Sequence, residues 1–214
     1  MKGDRGLTPE AMLAGYRRGI FPMAEGRASP VLHWVEPRLR GIIPLDGFHM
    51  ARSLRRRVRA GGYEISLDRD FAGVVAGCAA RDETWINAEL DALYASLHRA
   101  GRAHSIEVRA GGALAGGVFG VALGRAFFGE SMFSLQRDAS KLALAYLIRH
   151  LGDCGFTLFD TQFLTPHLAS LGAVEISRED YLARLGVALA GEARFGSVAL
   201  PSAQDFAQAR TQTS

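Results

Sequence analysis

The chain has 214 residues, of which 48% are hydrophobic and 22% are charged, and its formal net charge at pH 7 is +3. This composition is typical of a globular protein and excludes a mainly disordered chain. The N-terminus lacks an apolar stretch with a cleavage site, and the most apolar segment, residues 111–129, contains seven glycines and Arg125. We therefore predict neither a secretory signal nor a membrane span.

Two other features of the composition bear on function. Cys78 and Cys154 lack the spacing of a zinc site or a disulfide framework, which predicts reduced thiols and no bound metal. The charge is unevenly distributed: residues 1–60 carry 12 basic and 5 acidic side chains, whereas residues 61–214 carry 13 and 17. A basic first segment predicts a surface that binds a polyanion, next to a site with a different task.

The first part of the chain, residues 1–60, is predicted to form a few short helices and strands. Thr8 and Pro9 are typical of a helix start, and Gly19 of its end. The other predicted elements are strands at 31–35 and 39–45 and a helix from Asp46 to the glycine pair at 61–62. We expect the two strands to form a small β unit, and the whole segment to be a small N-terminal domain.

The remainder, residues 61–214, predicts a larger domain. Its predicted elements are, in order, a strand at 63–67, helices at 70–80 and 87–100, strands at 104–110, 113–123 and 125–134, a helix at 139–151 capped by Asp138, a strand at 156–162, a helix at 166–172, a strand at 173–177 and a helix at 178–185. A hairpin mixed with helical crossovers predicts an α/β or α+β fold built on one mixed sheet. The tail from about residue 202 is predicted to be loose.

Four arginines lie at helical spacing in the basic segment. Arg52, Arg55, Arg56 and Arg59 share one face of the predicted helix. So many guanidinium groups on one face repel each other unless anions neutralise them, and a phosphate backbone is a natural counterion. The alternative is a solvated basic face without a ligand, and the sequence leaves both open.

Polar residues at two strand ends are candidates for chemistry. Glu130 lies between Phe128 and Met132, where a buried carboxylate needs a cationic partner, either an internal Arg or Lys or an amino group of a substrate. Asp160 and Gln162, at i and i+2, point to the same side of a strand. They could orient a donor and an acceptor, or they could simply cap the next loop.

The absence of several well-known catalytic motifs from the sequence is also informative. The chain contains no G-x-S-x-G, no G-x-G-x-x-G and no P-loop, so nucleophilic serine, dinucleotide or NTP chemistry has no support. Trp34 lies in the basic segment and Trp85 in the "ETWIN" loop before a helix. An aromatic ring in a loop could stack on a base, although core packing is the alternative.

Taken together, these segments resemble the leucyl/phenylalanyl-tRNA–protein transferase family. The resemblance runs in unbroken order from about residue 10 to residue 185. It is carried by "GYRRGIFP", "RSLRRR", "TWIN", "HSIEV", "GESMFS", "DASKLAL" and "DTQFLTPHLASLGAVEISREDYL". The family transfers leucine or phenylalanine from aminoacyl-tRNA to the α-amino group of proteins that begin with Arg or Lys, which marks them for degradation.

The resemblance implies a fold and a set of site residues. The fold would be a small N-terminal domain followed by an acetyltransferase-like (GNAT) mixed-sheet domain. Asp160 and Gln162 match the pair that carries the chemistry, and Glu130 would meet the cationic acceptor or hold the incoming amine. Trp34 and Trp85 would lie near the 3′ adenosine, and the arginine face would contact the tRNA. The implied pocket for the amino-acid side chain consists of Val118, Phe127, Met132, Leu147 and Leu151.

The resemblance also implies partners and a mechanism. The chain would be a cytoplasmic monomer without a cofactor, with Leu-tRNA and Phe-tRNA as donors. The amide of Gln162 has no useful basicity, so we expect it to position the amine or the tetrahedral intermediate, with Asp160 orienting it or accepting the proton through water. Met23 and Val118 depart from the bulkier residues common in the family, which leaves the side-chain preference open.

Three alternatives belong to other classes of protein. An acetyl-CoA acetyltransferase would need a glycine-rich turn before the central helix, where this chain has "LQRDASK". A non-catalytic RNA-binding protein would leave Glu130 and the Asp160–Gln162 pair without a role. A peptidoglycan-building aminoacyl transferase would differ in its acceptor.

Overall fold

The computed structural model describes residues 7–202 and residue 206. Within them the helices are α1 (Pro9–Arg17), α2 (Arg52–Ala60), α3 (Phe71–Ala79), α4 (Ala88–Arg99), α5 (Ala139–Asp153), α6 (Pro166–Ser170) and α7 (Arg178–Leu189). The strands are β1 (Phe21–Ala24), β2 (Leu32–Val35), β3 (Leu39–Ile42), β4 (Glu64–Leu67), β5 (Ala103–Ala110), β6 (Ala113–Leu123), β7 (Ala126–Ser134), β8 (Leu158–Gln162) and β9 (Val174–Ser177). The tail predicted from about residue 202 lies, apart from residues 202 and 206, outside the described residues.

The strands form a small and a large sheet. β1 and β2 pair with each other, and the large sheet has the order β4-β5-β6-β7-β8-β3-β9. Its pairs are antiparallel except for β7 and β8, which run parallel. The predicted class, a mixed-sheet α/β fold, is therefore confirmed. In the described part of the chain, no helix has the length and apolarity that crossing a bilayer requires.

Two buried clusters cover the two faces of the large sheet. The first contains apolar residues of α1, α3, α4 and α7, and the second those of α2 and α5. Because side chains alternate along a strand, Phe128 belongs to the first cluster and its neighbour Phe127 to the second. We call these sides the first face and the second face.

The N-terminal segment differs from its prediction in two respects. Residues 21–24, for which no element was predicted, form β1 and pair with β2, whereas β3 lies between β8 and β9 in the large sheet. The prediction that β2 and β3 form a small β unit together is therefore wrong. The division at residue 60 stays a prediction, but residues before it contribute a strand to the large sheet.

The helix expected from Asp46 begins only at Arg52. Residues 47–50 are held instead against the connection before β9, where the His49 N–H donates to the Leu171 carbonyl. Phe48 and Met50 are buried in this extended arrangement, so tertiary packing overrides the local helical pattern.

Four predicted helix starts can be compared with the structure. The side chains of Thr8, Asn87 and Ser177 accept hydrogen bonds from backbone N–H groups of the first turns of α1, α4 and α7, as their sequences predict. Asp138 precedes α5 as expected, but within the described residues its carboxylate does not cap the helix. It pairs with Lys141 at 3.0 Å instead.

Candidate active site

A β-bulge sets the position of Glu130. Phe119 of β6 lies opposite Ser131, and Gly120 lies opposite Gly129, so Glu130 is the extra residue on β7. A Cβ at Gly120 would lie 2.2 Å from the Phe128 carbonyl oxygen, so only glycine permits this close approach. The Glu130 side chain lies on the first face, as that of Phe128 two residues earlier does, among residues of α1 and α4.

The neighbouring strand brings Gln162 to the same place. The register of the parallel pair ends with Phe128 opposite Asp160. Beyond this point β7 continues through the bulge, while β8 ends at Gln162. Glu130 and Gln162 therefore lie where these two strands stop pairing.

Three neutral groups hold the Glu130 carboxylate. The Tyr16 hydroxyl donates to Oε1 at 2.7 Å, the Tyr94 hydroxyl donates to Oε2 at 2.8 Å, and Gln162 Nε2 donates to Oε2 at 3.1 Å. Among the described residues, no Arg or Lys forms an ion pair with Glu130. Arg40, a buried cation close enough for Glu130 to contribute to raising its pKa, forms its ion pair with Asp160 instead.

These surroundings determine the protonation of the group. Burial raises the pKa of Glu130 to about 7, against the lowering effect of the hydrogen bonds from Tyr16, Tyr94 and Gln162. Burial and the nearby Glu130 raise the pKa values of Tyr16 and Tyr94 well above their ordinary range, so both phenols remain donors. Glu130 can therefore gain or lose a proton near neutral pH.

Asp160 has a different environment. It is fully buried and forms an ion pair with the equally buried Arg40 of β3, with Nη2 to Oδ2 at 2.7 Å. The Tyr181 hydroxyl donates to Oδ2 at 2.6 Å, and the backbone N–H of Gln162 donates to Oδ1 at 2.7 Å. Asp160 and Gln162 lie on the same face, as their spacing predicts. Asp160 also binds the backbone N–H of Gln162, the last residue of β8.

The predicted pocket residues come together on the other side of the sheet. Val118, Phe127, Leu147 and Leu151 are buried in the cluster on the second face, and Met132 is half-buried against it. Glu130 contacts residues of the first face, so it and the predicted pocket residues lie on opposite faces of the sheet. The role of these apolar residues stays a prediction.

Both tryptophans adjoin the tyrosines that hold Glu130. The Trp34 ring lies so close to α1 that a Cβ at Gly15, next to Tyr16, would be 2.1 Å from it. Trp85 packs edge-on against Tyr94, with ring centroids 6.3 Å apart. Trp34 is 44% exposed, so the core alternative does not apply to it.

The arginine face lies on α2. Arg52, Arg55, Arg56 and Arg59 are exposed, while Leu54 and Val58 are buried on the opposite side. Arg55 donates to the Met50 carbonyl. A cleft of about 360 Å³ next to this face is lined by Ser53, Arg56, Arg57, Gln136, Arg137 and Asp138. Sequence reasoning missed Arg57 and Arg137 as neighbours of the face.

Sequence reasoning also missed the partners of the two carboxylates. They are Tyr16, Arg40, Tyr94 and Tyr181. Tyr16 stands inside "GYRRGIFP", one of the motifs singled out above, and this was the only signal for it. Among the described residues, no cluster of His, Cys, Asp and Glu could hold a metal ion.

A buried carboxyl whose pKa is raised to about 7, beside a side-chain amide, is a group that could move a proton during acyl transfer to an amine. Comparison with known proteins identifies the kind of transfer. Residues 42–186 match the family described as leucyl/phenylalanyl-tRNA protein transferase, and residues 5–38 match the N-terminal domain of the same family. The chain therefore belongs to the leucyl/phenylalanyl-tRNA protein transferase family, and it is an aminoacyltransferase.

Curated relatives carry the same name over nearly the whole chain. The transferase of Cereibacter sphaeroides is 60% identical over 209 residues, covering 97% of this chain and 98% of the relative. The transferase of Ruegeria pomeroyi is 60% identical over 208 residues, which cover 97% of this chain and 99% of the relative. Among solved structures, L-PGS from Bacillus licheniformis has a TM-score of 0.42 and 15% identity, covering 75% of this chain and 55% of that one.

Proposed function

We propose that the chain transfers leucine or phenylalanine from Leu-tRNA or Phe-tRNA to the α-amino group of proteins that begin with Arg or Lys, which marks them for degradation. We further propose that it does so in the cytoplasm, as a monomer and without a cofactor. The observation that carries the mechanism is the buried Glu130, held by three neutral donors and able to exchange a proton near pH 7.

The proposed reaction needs one proton to move twice. The neutral α-amine attacks the ester carbonyl carbon, which forms the new C–N bond and a tetrahedral intermediate with a positively charged nitrogen. The Glu130 carboxylate takes a proton from this nitrogen. When the C–O bond to the ribose breaks, the carboxyl returns the proton to the departing oxygen.

The surroundings of Glu130 suit this role. A free α-amine has a pKa of about 7.7–8.0, close to the value of about 7 for Glu130, so the proton can pass in either direction. A carboxylate has about four acceptor positions, and three donors contact this one, which leaves room for the amine. The amide of Gln162 fixes the carboxylate where β7 and β8 stop pairing, and holding the amine and the ester in attack geometry there would supply much of the acceleration.

The arginine face and the tryptophans support the tRNA part of the proposal. Within the described residues, none of the four arginines of the face forms an ion pair, so they are available to phosphates. The exposed Trp34 lies beside Tyr16, where its ring could stack on a terminal base.

A direct assay tests the function. We expect labelled leucine to pass from Leu-tRNA to a peptide that begins with Arg, and not to the same peptide with an acetylated N-terminus or with an N-terminal Gly. Acetyl-CoA in place of Leu-tRNA should give no acetylated peptide, because the turn before α5 lacks the glycines of a pyrophosphate-binding turn and carries the acidic Asp138. Acetyl transfer, or leucine transfer that ignores the N-terminal residue, would contradict the proposal.

The arginine face makes a separate prediction. Replacing Arg52, Arg56 and Arg59 together by Ala should raise KM for aminoacyl-tRNA and leave kcat nearly unchanged. Each lost phosphate contact should also lower the slope of log affinity against log salt by about 1. The control is Arg184→Ala, which removes an exposed arginine from α7. Equal salt slopes for the triple variant and the control would show that the face does not contact tRNA.

A further inference from the structure

Arg40 is a buried charge that the proposed reaction does not use directly. Only 1% of it is exposed, and its guanidinium lies over the rings of Phe21 and Tyr181, at 4.7 and 4.6 Å. Burying an arginine is costly unless an anion and hydrogen bonds compensate it. The compensation here comes from Asp160, which Arg40 contacts through Nε at 2.9 Å and Nη2 at 2.7 Å.

The oxygens of Asp160 are fully occupied by protein donors. Oδ1 accepts from Arg40 Nε and from the Gln162 N–H, and Oδ2 accepts from Arg40 Nη2 and the Tyr181 hydroxyl. Because a carboxylate has about four acceptor positions, none is left for a substrate or a water. Asp160 is therefore poorly suited to accept the proton of the amine.

What Asp160 does hold is the backbone of Gln162. Gln162 has a φ of +65°, a left-handed conformation that costs free energy for a residue with a side chain. Its N–H points to Asp160 Oδ1 at 2.7 Å, and its side-chain amide reaches Glu130 Oε2 at 3.1 Å. The direction of the Gln162 amide thus depends on this backbone conformation.

Arg40 also ties this arrangement to α1. Its Nη1 donates to the carbonyl of Gly19 at 3.1 Å, in the connection that follows α1. Tyr16, on the last turn of α1, donates to Glu130. The same short segment of chain therefore contacts the groups around both carboxylates.

We propose that Arg40 and Tyr181 are positioning residues for aminoacyl transfer. They fix Asp160, which holds Gln162 in its left-handed conformation and so aims the Gln162 amide at Glu130. Asp160 acts by this positioning and does not carry the proton. The inference rests on the proposed roles of Gln162 and Glu130.

A double-mutant cycle tests the coupling. Arg40→Lys keeps the charge but loses the two-pronged contact, and it should lower kcat about tenfold with little change in either KM. In a Gln162→Ala background the same change should lower kcat less than about twofold, because the group it positions is gone. The matched control is Arg178→Lys, since Arg178 likewise donates to a carbonyl after α1, that of Arg18, and should leave kcat unchanged in both backgrounds.

Each outcome of the cycle has a distinct meaning. Equal losses from Arg40→Lys in both backgrounds would overturn the positioning role and leave the proposed function intact. A Gln162→Ala enzyme with the kcat of the unaltered chain would overturn both the inference and the proposed role of Gln162. If Arg40→Lys does not fold, Tyr181→Phe, which removes one donor to Asp160, takes its place in the same cycle.

The pH profile separates positioning from proton transfer. Asp160→Asn should lower kcat about tenfold or more but retain the rise of kcat with pH through about 7, because Glu130 remains. A profile that becomes flat in Asp160→Asn would show that Asp160 accepts the proton and would overturn the inference.

Discussion

Replacing Glu130 by Gln is expected to lower kcat for leucine transfer by about 10²-fold, with little change in KM for either substrate. The amide keeps the size of the side chain and can still form hydrogen bonds with Tyr16 and Tyr94, but it cannot take a proton from the amine. The measurement is steady-state transfer of labelled leucine to an Arg-peptide at pH 8, compared between the two proteins. A loss confined to KM would mean that Glu130 binds the acceptor and does no proton chemistry.

A stability measurement controls for unfolding. The pKa of Glu130 is raised in the folded state, so its ionisation destabilises the fold progressively as pH rises from the unfolded value of about 4.3 through about 7. At pH 8 the Gln variant avoids this cost. It should therefore be at least as stable to urea as the unaltered chain, and a marked loss of stability would attribute the lower kcat to misfolding.

The second large effect is expected at Asp160. Asp160→Ala leaves Arg40 without its anion in a site that water does not reach, and breaking a buried pair in this way costs about 3–5 kcal/mol of folding free energy. Urea denaturation followed by circular dichroism measures the change. The matched control is Glu36→Gln, which removes the partner of Arg178 from an ion pair whose carboxylate is 61% exposed. That change should cost about 0–1 kcal/mol.

The two variants distinguish a structural network from an incidental contact. If Asp160→Ala and Glu36→Gln lowered stability by the same small amount, Arg40 would have found other compensation, and the network around Asp160 would not hold β3, β8 and α7 together.

Local signals predicted most elements of the fold. The caps at Thr8, Asn87 and Ser177 mark helix starts because a side-chain oxygen there satisfies a free N–H of the first turn, whatever the tertiary context. The place of β3 was beyond such reasoning. The residue pattern of a four-residue strand is too short to identify the strands that it pairs with. The partners of β3 are β8 and β9, which lie more than 110 residues later in the chain.

The candidate site was predictable only in part. Glu130, Asp160 and Gln162 were identified by their residue types and by the family resemblance, and the structure brings them together. The bulge at Glu130 is a register shift between β6 and β7, which sequence reasoning did not anticipate. Arg40 lies 120 positions from Asp160, and nothing local distinguishes it from the exposed arginines of the same basic segment.

The most direct test of the central claim is the pH dependence of a single turnover. Labelled leucine transfer from Leu-tRNA to an Arg-peptide would be followed between pH 6 and pH 9 in the unaltered chain and in Glu130→Gln, at saturating peptide. We predict that the ratio of the two rates rises with pH through about 7 and then levels off, because only the ionised carboxylate accepts the proton. A ratio that stays constant across this range would contradict the role of Glu130 as the proton acceptor.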